Sequence, residues 1–195
     1  MSLLPDYVVI NDPACSNREV LQKPAEPFSF PLSREDWAII KTLEAKYEAE
    51  EICSGLAAPQ IGFSKQAIIF ALNDDPELKK WRPDINDTMP KTIWLNPSYE
   101  PIGNEKHVDY EGCFSVAGLA GAVPRYKTIR YKAYLIDGTE VQGTAHGFLA
   151  RIIQHEIDHL RGILFTTLVE DEKLISIAEY RRLRQEALDK GRMIS

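Results

Sequence analysis

The chain has 195 residues, 44% of them hydrophobic and 27% charged, and its 29 acidic residues against 23 basic ones give a formal net charge of −6. Such ordinary globular proportions exclude wholesale disorder, and the acidic balance argues against a protein whose main task is gripping phosphate backbones, so no sequence-specific nucleic-acid partner is expected. No apolar run approaches the ~20 residues of a membrane helix, and the N-terminus lacks the basic and apolar regions of a signal peptide. No membrane partner is therefore expected, and the cytoplasm is the expected compartment.

Residues 1–32 hold prolines at positions 5, 13, 24, 27 and 31 and one short apolar run, Tyr7 to Ile10. They read as an extended arm with one edge strand, because proline removes ladder donors. A helix is predicted from Ser33 to about residue 51. Ser33 and Asp36 have capping-box spacing, and Trp37, Ile40, Leu43 and Tyr47 recur at helical intervals. The loop over 53–62 is small and apolar where surface loops are polar. Strands are predicted over 67–72, 92–96 and 107–112, with 73–90 a polar surface excursion. A further strand over 127–136 alternates Ile129, Tyr131, Ala133 and Leu135 against Arg130 and Lys132. The Asp137-Gly138 turn folds it onto a strand over 139–144. A helix over 147–160 stops near Gly162, and an amphipathic, charge-rich helix runs over 171–190, followed by a short tail. The expectation is one α+β domain spanning 1–195, with short, mostly antiparallel strands around a central helix.

That central helix carries His155-Glu156-Ile157-Asp158-His159. Residues i and i+4 share a helix face, so two imidazoles can bind one metal ion while Glu156 reaches a metal-bound water as general base. Ile152, Ile153, Ile157 and Leu160 mark the helix as buried, and buried imidazoles need partners. A catalytic site usually takes a third protein ligand. Cys113, in Glu111-Gly112-Cys113-Phe114-Ser115, is the best candidate on sequence; a buried apolar thiol is the equal alternative. Cys15 and Cys53 read as small hydrophobes, and the odd, scattered set of three makes no disulfide framework. His107 and His146 read as ordinary polar residues.

Gly55-Leu56-Ala57-Ala58-Pro59-Gln60, then Glu111-Gly112-Cys113-Phe114-Ser115, then Gln154-His155-Glu156-Ile157-Asp158-His159-Leu160 resemble, in order, the three motifs of the peptide deformylase family. Val123-Pro124-Arg125 and the Asp137-Gly138 turn add to a resemblance that covers residues 35 to 168. It implies one divalent metal ion on Cys113, His155 and His159, with Fe²⁺ as the native metal and Zn²⁺, Ni²⁺ or Co²⁺ as substitutes. It implies hydrolysis of N-formylmethionyl peptides or nascent chains to formate and a free amine. Glu156 would move the proton, and the Gln60 side chain and Phe114 backbone N–H would meet the developing oxyanion. Gly55 and Leu56 would pair with substrate backbone. Glu111 and Arg125 would form an ion pair supporting the cysteine loop. Phe148 and Ile152, seven and three residues before His155, would wall the methionine pocket. Because deformylases act on nascent chains, the last helix is a candidate for a transient ribosome contact, although its mixed charges read first as a solvated face.

The chain departs from the family pattern on the substrate side. Cys53 stands where the first motif begins with glycine, Phe114 replaces a leucine, and Ala117 replaces a common proline. Arg151 also falls on the face of His155, placing a charge at the pocket rim. These changes raise a deformylase-like paralog of altered substrate preference or low activity, or a peptide-binding relative, as the alternative reading. A metallopeptidase would explain the helix motif but neither Cys113 nor the 55–60 loop.

Overall fold

Ser33 starts the first helix as its spacing predicts. In the computed structural model, which describes residues 4–170 and 173–190, its hydroxyl accepts from Asp36 N–H at 3.1 Å while Asp36 accepts from Ser33 N–H at 3.0 Å. This closed box begins α1 (Arg34–Glu48). Ile40 and Leu43 are its buried residues, whereas Trp37 is 38% exposed, so the apolar stripe is narrower than the spacing suggests.

The strands are β1 (Gly55–Ala57), β2 (Ala67–Leu72), β3 (Met89–Pro101), β4 (Lys106–Cys113), β5 (Val116–Tyr126), β6 (Thr128–Tyr134), β7 (Glu140–His146) and β8 (Leu174–Ser176). All named pairings are antiparallel. They form a five-stranded sheet in the order β1-β2-β3-β6-β7 and a three-stranded sheet in the order β4-β5-β8. The predicted β6–β7 hairpin forms around Asp137-Gly138. Gly138 sits at φ 86°, a left-handed conformation that favours glycine, and the turn closes with Leu135 N–H donating to Thr139 O.

Helix α3 (Gly147–Leu160) has the predicted bounds and lies between the two sheets. Leu149, Ala150, Ile153, Ile157 and Leu160 pack with Ile68, Phe70, Trp94, Ile129 and Ala145 of the larger sheet. A helix buried this completely carries its polar residues inside the protein, which places the metal motif there.

Several elements differ from the sequence reading. The excursion over 73–90 contains a short helix, α2 (Pro76–Trp81), capped by the Asp75 side chain, which accepts from Glu77 N–H at 2.8 Å. β5 was not predicted at all; its glycines and proline hide the strand pattern. Tyr7 to Ile10 forms no strand, because Val8 N–H donates to Gln60 O and Ile10 N–H to Ser115 O, on two separate segments. The arm is nonetheless packed, with Val8, Val20 and Leu21 buried against Val116, Val123 and Phe165. The predicted last helix is shorter: residues 174–176 pair with β5 as β8, and α4 (Ile177–Asp189) follows. Asp171 and Glu172, where that helix is expected to begin, lie outside the described residues, as do residues 1–3 of the arm and the tail over 191–195. Among the described residues no helix is long and apolar enough to cross a membrane.

Candidate metal centre

Cys113 ends β4 at a two-residue turn, Phe114-Ser115, with Val116 as its cross-strand partner. His155 and His159 project from α3. The three side chains each offer one ligand atom, all within 4.8 Å of one another. Cys113 Sγ lies 3.3 Å from His159 Nε2, about the edge of a tetrahedron built on metal–ligand bonds of roughly 2.0–2.3 Å. The sulfur also accepts from Gln60 Nε2 at 3.3 Å and from Ser115 N–H at 3.4 Å. His155 Nδ1 is held by Glu111 Oε2 at 2.9 Å, which leaves Nε2 free to ligate.

The electrostatics suit a cation. Burial opposes charge on His155, but Cys113 and Glu111 outweigh it and hold the imidazole well above its ordinary pKa, while burial and the His155 charge push His159 well below. The pocket thus favours one positive charge, at His155, and disfavours a second at His159. Burial alone would raise the Glu111 carboxyl; Arg125 and His155 hold it well below the carboxylate range. Burial pushes Glu156 the other way, up to about 7, with His155 opposing. Its Oε2 is buried with no hydrogen-bond partner, an arrangement that is costly unless something polar meets it.

Gln60 is 2% exposed, and its amide orientation is fixed: Oε1 accepts from Ala57 N–H at 2.8 Å, so the NH₂ end faces the sulfur. A cleft of about 470 Å³ opens onto these groups, and Gly55, Gln60, Cys113, Phe114, Phe148, Ile152, His155 and Glu156 all line it. The Phe114 ring, 37% exposed, stacks on Tyr7 of the arm with centroids 4.6 Å apart. Gly55 is glycine for a spatial reason. A Cβ there would sit 2.5 Å from Glu156 Oε1.

The structure does not bring Leu56 to the cleft. Its side chain is fully buried beside Ile40, Leu43 and Ile69. Ala71 N–H donates to Ser54 O, so antiparallel alternation turns the backbone of Leu56 toward β2 and that of Gly55 outward. The Cys53 thiol, whose pKa is pushed up to about 12 by burial and Glu156, donates to that outward Gly55 carbonyl at 3.1 Å.

Arg151 also corrects the sequence reading. It borders the cleft, yet it is 4% exposed, and its charge is taken up by Glu111 at 2.6 Å and by the carbonyls of His107, Asp109 and Val123 at 2.7, 3.3 and 3.0 Å. It is no free rim charge. The expected Glu111–Arg125 pair is bidentate, with both contacts at 2.9 Å, and Arg125 also bonds Asp158 of α3. Sequence reasoning missed this wider network of Arg151, Asp158 and Asp109. One signal was available: His107, Asp109, Glu111 and Cys113 share a face of β4 by strand alternation. Asp84, His107 and Asp109 also lie close enough to suggest a cation site. There, however, Arg82 takes Asp84 and one oxygen of Asp109, and Arg184 takes the other.

The profile of one family, polypeptide deformylase, matches residues 10–174. A protein of Rickettsia conorii named peptide deformylase 2 is 54% identical over 188 residues, 95% of this chain and 93% of its own. A class I type b peptide deformylase of Acinetobacter baumannii, solved with Met-Ala-Ser bound, superposes with a TM-score of 0.72 at 30% identity, over 87% of this chain and 100% of that one. A peptide deformylase of Synechococcus elongatus, in complex with actinonin, superposes with a TM-score of 0.67 at 30% identity, over 100% of this chain and 92% of that one.

Proposed function

The chain belongs to the polypeptide deformylase family, hydrolases that remove the N-formyl group of nascent peptides, and we propose that Cys113, His155 and His159 hold its catalytic cation with Glu156 as general base. The observation that carries this reading is the convergence of those three ligand atoms beside a buried carboxyl whose pKa burial raises to about 7. One thiolate and two imidazoles suit a borderline divalent ion, Fe²⁺ in our reading, with Zn²⁺, Ni²⁺ or Co²⁺ as substitutes. When bound, such a cation supplies an acidified water and a Lewis acid for the formyl oxygen.

The chain's own residues do the rest. The substrate strand adds to the edge of β1, where Gly55 turns its N–H and C=O outward. Phe148 and Ile152 receive the first side chain. Glu156 takes a proton from water and returns it to the leaving nitrogen as the formyl C–N bond breaks, giving formate and a free amine. The Gln60 NH₂ and the Phe114 N–H stand as donors for the oxyanion between these steps. Nascent chains are the natural source of such substrates. On α4, Arg184 is buried and Arg182 is tied to Glu179 and Glu186, so a ribosome contact there would rest on the exposed Arg181 and Lys190.

The test is formate release from formyl-Met-Ala-Ser by protein purified anaerobically and assayed for metal content. Release should vanish on chelation, return with Fe²⁺ or Ni²⁺, and fall by ~10²–10⁴-fold in Glu156→Ala at unchanged metal content. Silence from the metal-replete wild type would overturn the reading.

A further inference from the structure

The cleft has a second wall that none of the three motifs supplies. Leu78, Trp81 and Arg82, from α2 and the residue after it, line one side, and Ile177 and Tyr180 from the first turn of α4 line another. Neither helix belongs to a sheet that could hold it in place. Both are tied to one carboxylate. Asp109, 2% exposed in the middle of β4, meets Arg82 Nη1 through Oδ2 at 2.5 Å and Arg184 Nη2 through Oδ1 at 2.8 Å.

Each arginine in turn backs an aromatic ring of the cleft. The Arg82 guanidinium lies 4.0 Å over the Phe148 ring. The Arg184 guanidinium lies 5.5 Å from the Tyr180 ring centre and donates to its hydroxyl at 3.3 Å. Tyr180 then packs on Tyr110, with ring centroids 5.7 Å apart. The chain of contacts runs from one buried charge, through two planar cations, to two rings that line the pocket. Asp84 takes the remaining charge on Arg82 at 2.9 Å.

We propose that Asp109 is a positioning residue for substrate specificity: through Arg82 and Arg184 it holds the α2 and α4 walls at the spacing that admits a long, unbranched, apolar first side chain. The inference rests on the deformylase reading of the same cleft. An apolar slot with aromatic walls suits a thioether, which packs well on ring edges and faces. The slot discriminates only while its walls stay in place, because a binding difference of a few methylene-sized groups is realised through close contact.

The experiment compares kcat/KM for formyl-Met-Ala-Ser with that for formyl-Ala-Ala-Ser in wild type, Asp109→Asn, Arg184→Met and Arg184→Lys. One methylene-sized group in close contact is worth ~10–200-fold, and methionine exceeds alanine by three such groups, so the preference for methionine should be at least that large. Asp109→Asn and Arg184→Met should lose most of that preference through a raised KM on the methionine peptide, with rates on the alanine peptide and metal content little changed. Arg184→Lys, which keeps the charge, should restore part of it. An unchanged preference in folded Asp109→Asn or Arg184→Met overturns the proposal, as does an equal loss on both peptides, which would mark the network as support for the metal site. If Asp109→Asn fails to fold, the Arg184 pair decides. If the wild type cleaves neither peptide, the deformylase reading fails instead, and calorimetric binding of Met-Ala-Ser against Ala-Ala-Ser in the same variants decides the wall inference.

Discussion

Gly55→Ala should disable catalysis without disturbing the fold or the metal ligands. The backbone at Gly55 is not in the left-handed region, so alanine meets no conformational penalty there. The obstacle is a single neighbour. The added Cβ would lie 2.5 Å from Glu156 Oε1 and 2.8 Å from its Cδ and Cγ. Non-bonded carbon–carbon contacts are optimal near ~3.5–4.0 Å, so the carboxylate must retreat by on the order of 1 Å or β1 must move outward. A misplacement of about 1 Å costs ~10²-fold in rate, and complete loss of a general base costs ~10²–10⁴-fold. Retreat of Glu156 should therefore lower kcat by at least ~10²-fold, and movement of β1 should raise KM because Gly55 is the edge we propose for the substrate strand. Formate release over a range of peptide concentrations, with metal content and thermal midpoint measured beside it, separates the two routes. A kcat/KM close to wild type in a metal-replete Gly55→Ala protein would refute the reasoning.

Glu111→Gln removes the carboxylate that fixes His155 Nδ1, and metal affinity should fall by ~10–100-fold in a competition titration with a chromophoric chelator. Arg151→Met leaves Glu111 short of one guanidinium and strands three backbone carbonyls, so the unfolding free energy should drop by ~3–5 kcal/mol in a urea melt. Ser33→Ala should cost ~1 kcal/mol near neutral pH. Burial alone would raise the Asp36 pKa, but its bonds to Ser33 and the nearby Lys65 charge hold it below the ordinary carboxylate value. A carboxyl with a depressed folded pKa stabilises above its unfolded pKa, ~3.9, and that contribution fades as pH falls through the folded value. The Ser33→Ala difference should therefore shrink below about pH 4, as equilibrium melts across pH 3–7 would show.

What was legible in the sequence was whatever a short stretch determines by itself. Ser33 and Asp36 cap their own helix, Asp137-Gly138 turns its own hairpin, and His155 and His159 share a face at i and i+4. What was not legible depended on partners far along the chain. Arg151 has the helical phase of a pocket residue, yet its side chain runs to the carbonyls of β4 and β5, a choice no local spacing encodes. Leu56 sits inside a motif expected to pair with substrate, but a strand alternates its faces, and the pairing with β2 decides which of two neighbouring residues looks outward. β5 was hidden because Gly118, Gly121 and Pro124 read as turn residues, while its pairing with β4 over eight positions makes it a strand.

The buried arginines explain how ligands from two elements become one site. Cys113 belongs to the smaller sheet, and His155 and His159 belong to a helix packed chiefly on the larger one. Apolar packing would leave some sliding freedom between them, because it is non-directional. Arg125 reaches from β5 to Glu111 on β4 and Asp158 on α3; Arg151 reaches from α3 back to Glu111 and the β4 and β5 carbonyls. The two guanidiniums run in opposite directions between the same elements, and both share the carboxylate that orients His155. Bonds to a planar fork fix distance and angle together, which hydrophobic contact does not. Desolvating such charges contributes little net stability. What they contribute is register between Cys113 and the histidine pair.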